Sequence, residues 1–172
     1  MNVRNVHERI LPAPPARVGA LVDSLASAED GLWPRDRWPA MRFDRPLGVG
    51  AVGGHGPIRY RVEAYEPGRS VRFRFTAPRG FEGTHGFEVE AVNGPEAPDG
   101  ERTRLRHVLA MRTGGPALLT WPLVFRPLHD ALIEDALDRA ERGVGGSPRP
   151  RRWSPWVRVL RWQLARRRSR RG

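Results

Sequence analysis

The stretch from Ile58 to Arg112 limits the fold most, because its side chains alternate with a period of two in four successive runs. Ile58, Tyr60, Val62 and Ala64 alternate with Arg59, Arg61 and Glu63, and Val71, Phe73, Phe75 and Ala77 with Arg72, Arg74 and Thr76. Gly83, His85, Phe87 and Val89 alternate with Thr84, Gly86, Glu88 and Glu90, and Leu105, His107, Leu109 and Met111 with Arg104, Arg106 and Arg112. Turn residues Glu66-Pro67-Gly68-Arg69, the run Pro78 to Glu82 and a polar loop from Asn93 to Arg102 separate them. Period-two segments with such short connections predict an antiparallel meander with one wet and one apolar face.

Tight turns set register, so the apolar rows can be proposed. Pairing Tyr65 with Ser70 places Tyr60 opposite Phe75 and Val62 opposite Phe73. Pairing Ala77 with Gly83 places Phe75 opposite His85 and Phe73 opposite Phe87. Pairing Ala91 with Thr103 places Phe87 opposite His107 and His85 opposite Leu109. Two histidines thus fall on an apolar face as diagonal neighbours within side-chain reach. Each is either a satisfied core histidine or a polar handle that orients a ligand or moves a proton.

A sheet with one apolar face needs a cover. From Gly115 to Arg142 the apolar residues Leu118, Trp121, Phe125, Leu128, Leu132 and Ala136 recur at spacings of three and four, which is one face of a helix. Asp130, Glu134 and Asp138 form an acidic stripe expected on the water side. Pro122 and Pro127 interrupt this pattern, so either the helix kinks or its regular part starts near Pro127 after an irregular lead-in. Upstream, Val3 to Leu11 reads as a first strand. Pro14 and Pro15 open a short helix to about Leu25, burying Val18, Leu21, Val22 and Leu25. The segment from Ser27 to Pro39 carries Trp33 and Trp38 as indole wedges, and Met41 to Arg45 suits a short strand.

Chemical motifs are few. Gly48, Gly50 and Gly53 match the dinucleotide pattern G-x-G-x-x-G, but that fingerprint requires a helix to open at the loop. Gly54-His55-Gly56-Pro57 follows instead, so a glycine-rich bend between strands is expected. There is no phosphate loop, nucleophile elbow or H-E-x-x-H, and no carboxylate pair falls on the inner face in this register. The histidines lack the close spacing of a familiar ligand pair, so neither a metal nor a cofactor is expected. His55 and His129 are expected at the mouth of any cavity beneath the helix.

Charge is unevenly spread over the 172 residues: all 30 basic residues are arginine and the net charge is +11. Up to Arg142 there are 20 arginines against 19 acidic residues, and beyond it 10 arginines and no acid. A nearly neutral domain (1–142) therefore carries a Gly/Pro linker and a basic tail (143–172). In the tail Trp153, Trp156, Val157, Leu160 and Leu164 keep helical spacing among arginines. Such a helix could dock on its own domain, lie on anionic lipid through residues 153–171, or bind nucleic acid, the weakest of the three because the domain offers no basic face to extend it. With no cysteine, no signal-like N-terminus and no membrane span, the expectation is a soluble cytoplasmic protein with peripheral attachment to the inner membrane surface through the tail as an option.

In order, these elements are a strand, one or two short helices, a curved antiparallel meander and a long C-terminal helix. That order resembles the α+β helix-grip fold of the START-like (SRPBCC) superfamily over residues 3 to 142. The resemblance rests on Leu11-Pro12-Ala13-Pro14-Pro15-Ala16-Arg17-Val18, Tyr65-Glu66-Pro67-Gly68-Arg69, Val71-Arg72-Phe73-Arg74-Phe75, Gly83-Thr84-His85-Gly86-Phe87 and Pro127-Leu128-His129-Asp130-Ala131-Leu132. It implies a cavity between sheet and helix for a small hydrophobic molecule such as a lipid or polyketide, lined by Trp33, Trp38, Tyr60, Phe73, Phe75, His85, Phe87, His107, Trp121, Phe125 and His129. In cyclase members polar pocket side chains orient an enolate or protonate an oxygen, and Tyr60, His85 and His107 are the matching kinds of residue here. The superfamily spans carriers, regulators and enzymes, so an apolar-ligand binder, a cyclase or aromatase-like enzyme and a membrane-recruited module all stand as readings.

Overall fold

The period-two runs pair into a seven-stranded antiparallel sheet of order β1-β7-β6-β5-β4-β3-β2. The strands are β1 (Asn2–Leu11), β2 (Arg42–Phe43), β3 (Val52–His55), β4 (Ile58–Glu66), β5 (Ser70–Ala77), β6 (Phe81–Val92) and β7 (Arg102–Thr113). A computed structural model describes residues 1–93 and 101–169, so most of the polar loop expected after Asn93 lies outside the described residues. One short helix, α1 (Pro15–Asp23), follows β1, and the chain then turns without a helix as far as β2. A helical stretch closes the curved sheet: α2 (Ala117–Thr120), a π-helical turn (Trp121–Phe125) and α3 (Arg126–Gly143). This is the helix-grip arrangement.

The register agrees with the expected one at both flanks and slips in the middle. Ala91↔Thr103, Phe87↔His107 and His85↔Leu109 are pairs of β6 with β7. Tyr60↔Phe75 and Val62↔Phe73 hold between β4 and β5, although the turn pairs Glu66 with Ser70 and an irregularity between Val62 and Ala64 takes up the difference. Between β5 and β6, however, Phe73 lies opposite His85 and Val71 opposite Phe87. The slip is two residues, so every side chain keeps its face. Where the slip occurs, Phe81 is buried and sets its ring edge-on to Phe75, Trp121 and Phe125 at 5.1–5.8 Å. Pairing of β5 with β6 runs only to Arg74↔Thr84, while β6 goes on along β7 to Phe81.

Pro122 does not break the helical cover. Its missing N–H falls within the π turn, where the hydrogen-bond ladder is already shifted, and Pro127 sits in the first turn of α3, where a proline is tolerated. Leu118, expected on the apolar face, is 46% exposed. Two other features hold the frame. Gly19 of α1 passes so close to the β4–β5 turn that a Cβ there would stand 2.2 Å from the Gly68 carbonyl oxygen. Asp23 then accepts hydrogen bonds from the Gly68 N–H and the Tyr65 hydroxyl, each at 2.9 Å.

The acidic stripe of α3 does not face water. Asn5, His7 and Arg9 alternate along the inner face of β1, and they meet Asp130, Glu134 and Asp138 at successive turns of the helix. Asp138 is buried and bonded to Arg9 at 2.8 Å. The stripe is thus the seam between helix and edge strand, where the carboxylates are neutralised rather than hydrated.

The basic tail also has a place. The helix α4 (Pro155–Ser169) buries Val157 and Leu160 against the domain. Trp153 packs edge-on to Trp38 at 5.6 Å, and the Arg161 guanidinium stacks over both indoles. Asp135, buried on α3, ties these parts together by accepting from Trp38 Nε1 (2.7 Å), Trp153 Nε1 (3.1 Å) and Arg37 (2.7 Å). Among the described residues no helix is long and apolar enough to cross a membrane.

Candidate functional site

Between the inner face of the sheet and the helical cover lies a cavity of about 350 Å³. Its floor is Phe75, His85, Phe87, His107 and Leu109, from three adjacent strands. Trp121, Val124, Phe125, Leu128, His129 and Leu132 form the roof, and Trp33, Trp38, Met41 and His55 one wall. Leu164 of α4 reaches the lining, so the tail helix contributes to the enclosure. The two indole wedges are fixed by their N–H groups, Trp33 on the Pro39 carbonyl at 2.9 Å and Trp38 on Asp135.

Nine of the eleven residues named from the sequence line this space; Tyr60 and Phe73 do not. Both are fully buried behind His85, with rings 4.9 and 5.1 Å from it. The strands bring their Cα atoms to the expected inner row, but the His85 ring lies over them and takes the cavity-facing layer. Phe75, not Phe73, stacks on His85, at 4.7 Å.

All five histidines of the chain form one file. His55 Nδ1 shares a hydrogen bond with the Tyr60 hydroxyl at 3.0 Å, and the Tyr60 ring stands edge-on to His85. His85 Nδ1 and His107 Nε2 are 3.3 Å apart. The His107 and His129 rings are 5.0 Å apart, and those of His129 and His7 5.9 Å. The file ends at His7, whose Nδ1 meets Glu134 at 2.8 Å and Nε2 meets Asp130 at 3.1 Å. His7 pairs directly with His107 across β1 and β7.

Charge state divides the file. Burial pushes His85 and His107 well below the ordinary histidine range, and neighbouring histidines push the same way. Burial, then His129 and Arg59, lowers His55 to about 3, and burial lowers His129 despite its contact with Asp130. At His7 burial also opposes the charge, but hydrogen bonds and attraction from Asp130 and Glu134 outweigh it and raise the ring to about 9. Neutral imidazoles therefore floor the cavity while an imidazolium closes the acidic seam. His85 Nε2, His107 Nδ1 and His129 Nε2 are buried without a hydrogen-bond partner among the described residues.

Sequence reasoning passed over His7 and Asp135, and it read Leu164 as part of the tail's apolar stripe without bringing it to the cavity. A signal for His7 existed: three polar residues at alternate positions of β1, complementary in charge to acids at four-residue spacing on the long helix.

No protein-family model matches the chain, and no curated protein matches it. Solved structures do. CalU16 from Micromonospora echinospora is 17% identical, with 95% of this chain and 84% of that one covered and a TM-score of 0.51. A Thalictrum norcoclaurine synthase point mutant in complex with a transition-state analogue is 13% identical (84% and 94% covered, TM-score 0.58). Ara h 8.0201 is also 13% identical (85% and 100% covered, TM-score 0.56). These are helix-grip proteins of the SRPBCC superfamily, and at such identities the likeness establishes that fold for this chain.

Proposed function

We propose that this protein binds a small, mainly apolar molecule, such as a lipid or polyketide, that carries a neutral polar group. The observation behind this reading is the cavity itself. Its volume of about 350 Å³ falls in the range of ligand sites, roughly 300–1,000 Å³, and its walls are aromatic and aliphatic apart from four imidazoles and one hydroxyl. An unpaired buried polar atom costs about 1–3 kcal/mol, and three ring nitrogens stand in that condition. A hydroxyl or carbonyl on the guest, met by a modest ring rotation, relieves that cost. Because the rings are neutral, a neutral polar group suits them better than an anion. Native mass spectrometry of protein purified from its own host tests the reading: a retained small molecule, lost on Trp121→Ala or Phe125→Ala, is expected. Protein that emerges empty and fails to take up any lipophilic fluorophore overturns it.

A cyclase-like enzyme is the second reading, favoured by the direct contact of His85 with His107. It faces a physical difficulty. A general acid needs a proton at working pH, and both rings hold theirs poorly. A bound substrate would have to restore that proton. The third reading, recruitment to an anionic membrane, is favoured by exposed Trp156, Val159 and Trp162 on α4. Trp156 Nε1 donates to the Leu123 carbonyl, beside exposed Leu119 and Leu123. Each arginine near an anionic surface adds about 1 kcal/mol. Binding to anionic but not neutral vesicles, weakened by Trp156→Ser and Trp162→Ser, is expected, and equal binding to both vesicle types refutes the electrostatic account. Salt-sensitive binding to duplex DNA without vesicle binding would move the tail to nucleic acid.

A further inference from the structure

The outer end of the histidine file does more than close a seam. We infer that His7, His129 and Asp130 form a binding site for a divalent transition metal ion, zinc by their donor set, in the wall between the cavity and the acidic edge of β1. One donor atom of each lies within 4.8 Å of the other two. His7 Nε2 is 3.1 Å and His129 Nδ1 3.5 Å from the same oxygen, Asp130 Oδ1. Tetrahedral zinc with bonds of about 2.0–2.1 Å holds its ligand atoms about 3.3 Å apart, so both nitrogen–oxygen distances already suit a shared ion.

The surrounding groups match what a metal requires of its outer shell. His7 Nδ1 is held by Glu134 at 2.8 Å, which leaves Nε2 for the ion and makes it a better donor. Glu134 is itself fixed by Arg9 at 3.0 Å, and Asn5 Nδ2 donates to Asp130 Oδ1 at 2.9 Å. Charge points the same way. Asp130 and Glu134 both meet His7, Arg9 is taken up by Glu134 together with Asp138 and Glu141 further along α3, and exposed Arg126 lies 3.8 Å from Asp130. A simple ion pair of His7 with two carboxylates explains His7 but not His129, which adds a third nitrogen donor to the same oxygen. In the metal site the ion takes the place of the proton between His7 Nε2 and Asp130, and that proton leaves to solvent. The three side chains are 13–36% exposed, so an ion can enter. Two histidines and a carboxylate leave a coordination position open, as in catalytic rather than structural zinc sites, and His129 also belongs to the cavity lining.

The test uses untagged, full-length protein stripped with EDTA. Titration with Zn2+ in a calorimeter is expected to show one ion per chain at micromolar affinity or better, and Co2+ to give the intense visible bands of a tetrahedral nitrogen–oxygen site. His7→Ala and His129→Ala are each expected to weaken binding a hundredfold or more, and Glu134→Gln by about 10–100-fold, with circular dichroism confirming the fold. Absence of stoichiometric zinc binding, or affinity unchanged in His129→Ala, overturns the site. Should a variant fail to fold, the wild-type cobalt spectrum decides, because a weak octahedral spectrum also overturns it. None of these readouts depends on what fills the cavity.

Discussion

Acidification should unfold this protein through its cavity floor. His85 and His107 are 6% and 1% exposed and stay neutral in the fold, whereas in the unfolded chain they titrate near 6.5. Their folded pKa values are depressed, so the unfolded state binds more protons below 6.5. Stability is therefore complete above that pH and falls as pH drops. Each ring that stays neutral removes about 1.4 kcal/mol per pH unit well below 6.5, or about 2 kcal/mol by pH 5. The pair together removes about 4 kcal/mol, a large part of the roughly 5–15 kcal/mol net stability of a domain. His7 acts in the opposite sense. Raised to about 9, it stays charged in the fold and offsets about 1 kcal/mol between pH 7 and 5. Urea unfolding at pH 7.0, 6.0, 5.5 and 5.0 measures the sum, to which the lowered His55 and His129 add in the same sense as the pair, and repeating the series on His85→Phe isolates one ring. Phenylalanine fills a similar volume against Phe75 and takes up no proton. The variant's stability should fall less steeply with acid, by about 1.4 kcal/mol per pH unit. Parallel slopes for the two proteins, or a wild type equally stable at pH 7 and pH 5, would refute the argument that these rings are buried neutral.

Other outcomes follow from single contacts. Gly19→Ala should cost about 1–3 kcal/mol, measured by urea unfolding, because its Cβ meets backbone at Gly68 that cannot rotate away; an unchanged midpoint would mean that α1 does not dock there. Asp135→Ala strips two indole N–H groups and Arg37 of their acceptor and should cost about 3–5 kcal/mol. In the same variant limited proteolysis should cut the linker before α4 sooner, and equal cutting rates would show that Asp135 does not hold the tail. Trp121→Ala should enlarge the cavity, so that it releases its own small ligand but admits bulkier lipophilic fluorophores, with a loss of about 3–5 kcal/mol in stability; unchanged uptake would place the ligand elsewhere.

Much of the architecture is local information. Alternation decides which side chains face inward, and a two-residue slip between β5 and β6 leaves that decision intact, so His85 and His107 are legible as inner residues although the β5 partner of His85 is not. The acidic spacing of Asp130, Glu134 and Asp138 is equally legible, but whether such a stripe meets water or a partner depends on what lies across from it. Only tertiary structure brings β1 beside β7, sets His7 against His107, and turns the stripe into a lining for Asn5, His7 and Arg9. The same holds for Tyr60, whose place on the inner row is a matter of period while its burial behind His85 is a matter of packing. The tail shows the division most plainly. Its helical spacing and charge are readable from the order of its residues, but its docking depends on Asp135, whose acceptor oxygens become available to Trp38 and Trp153 only once three distant segments have converged. Periodicity is a property of neighbours in the chain, whereas a buried polar contact is a property of neighbours in space, and a single sequence records the first far more directly than the second.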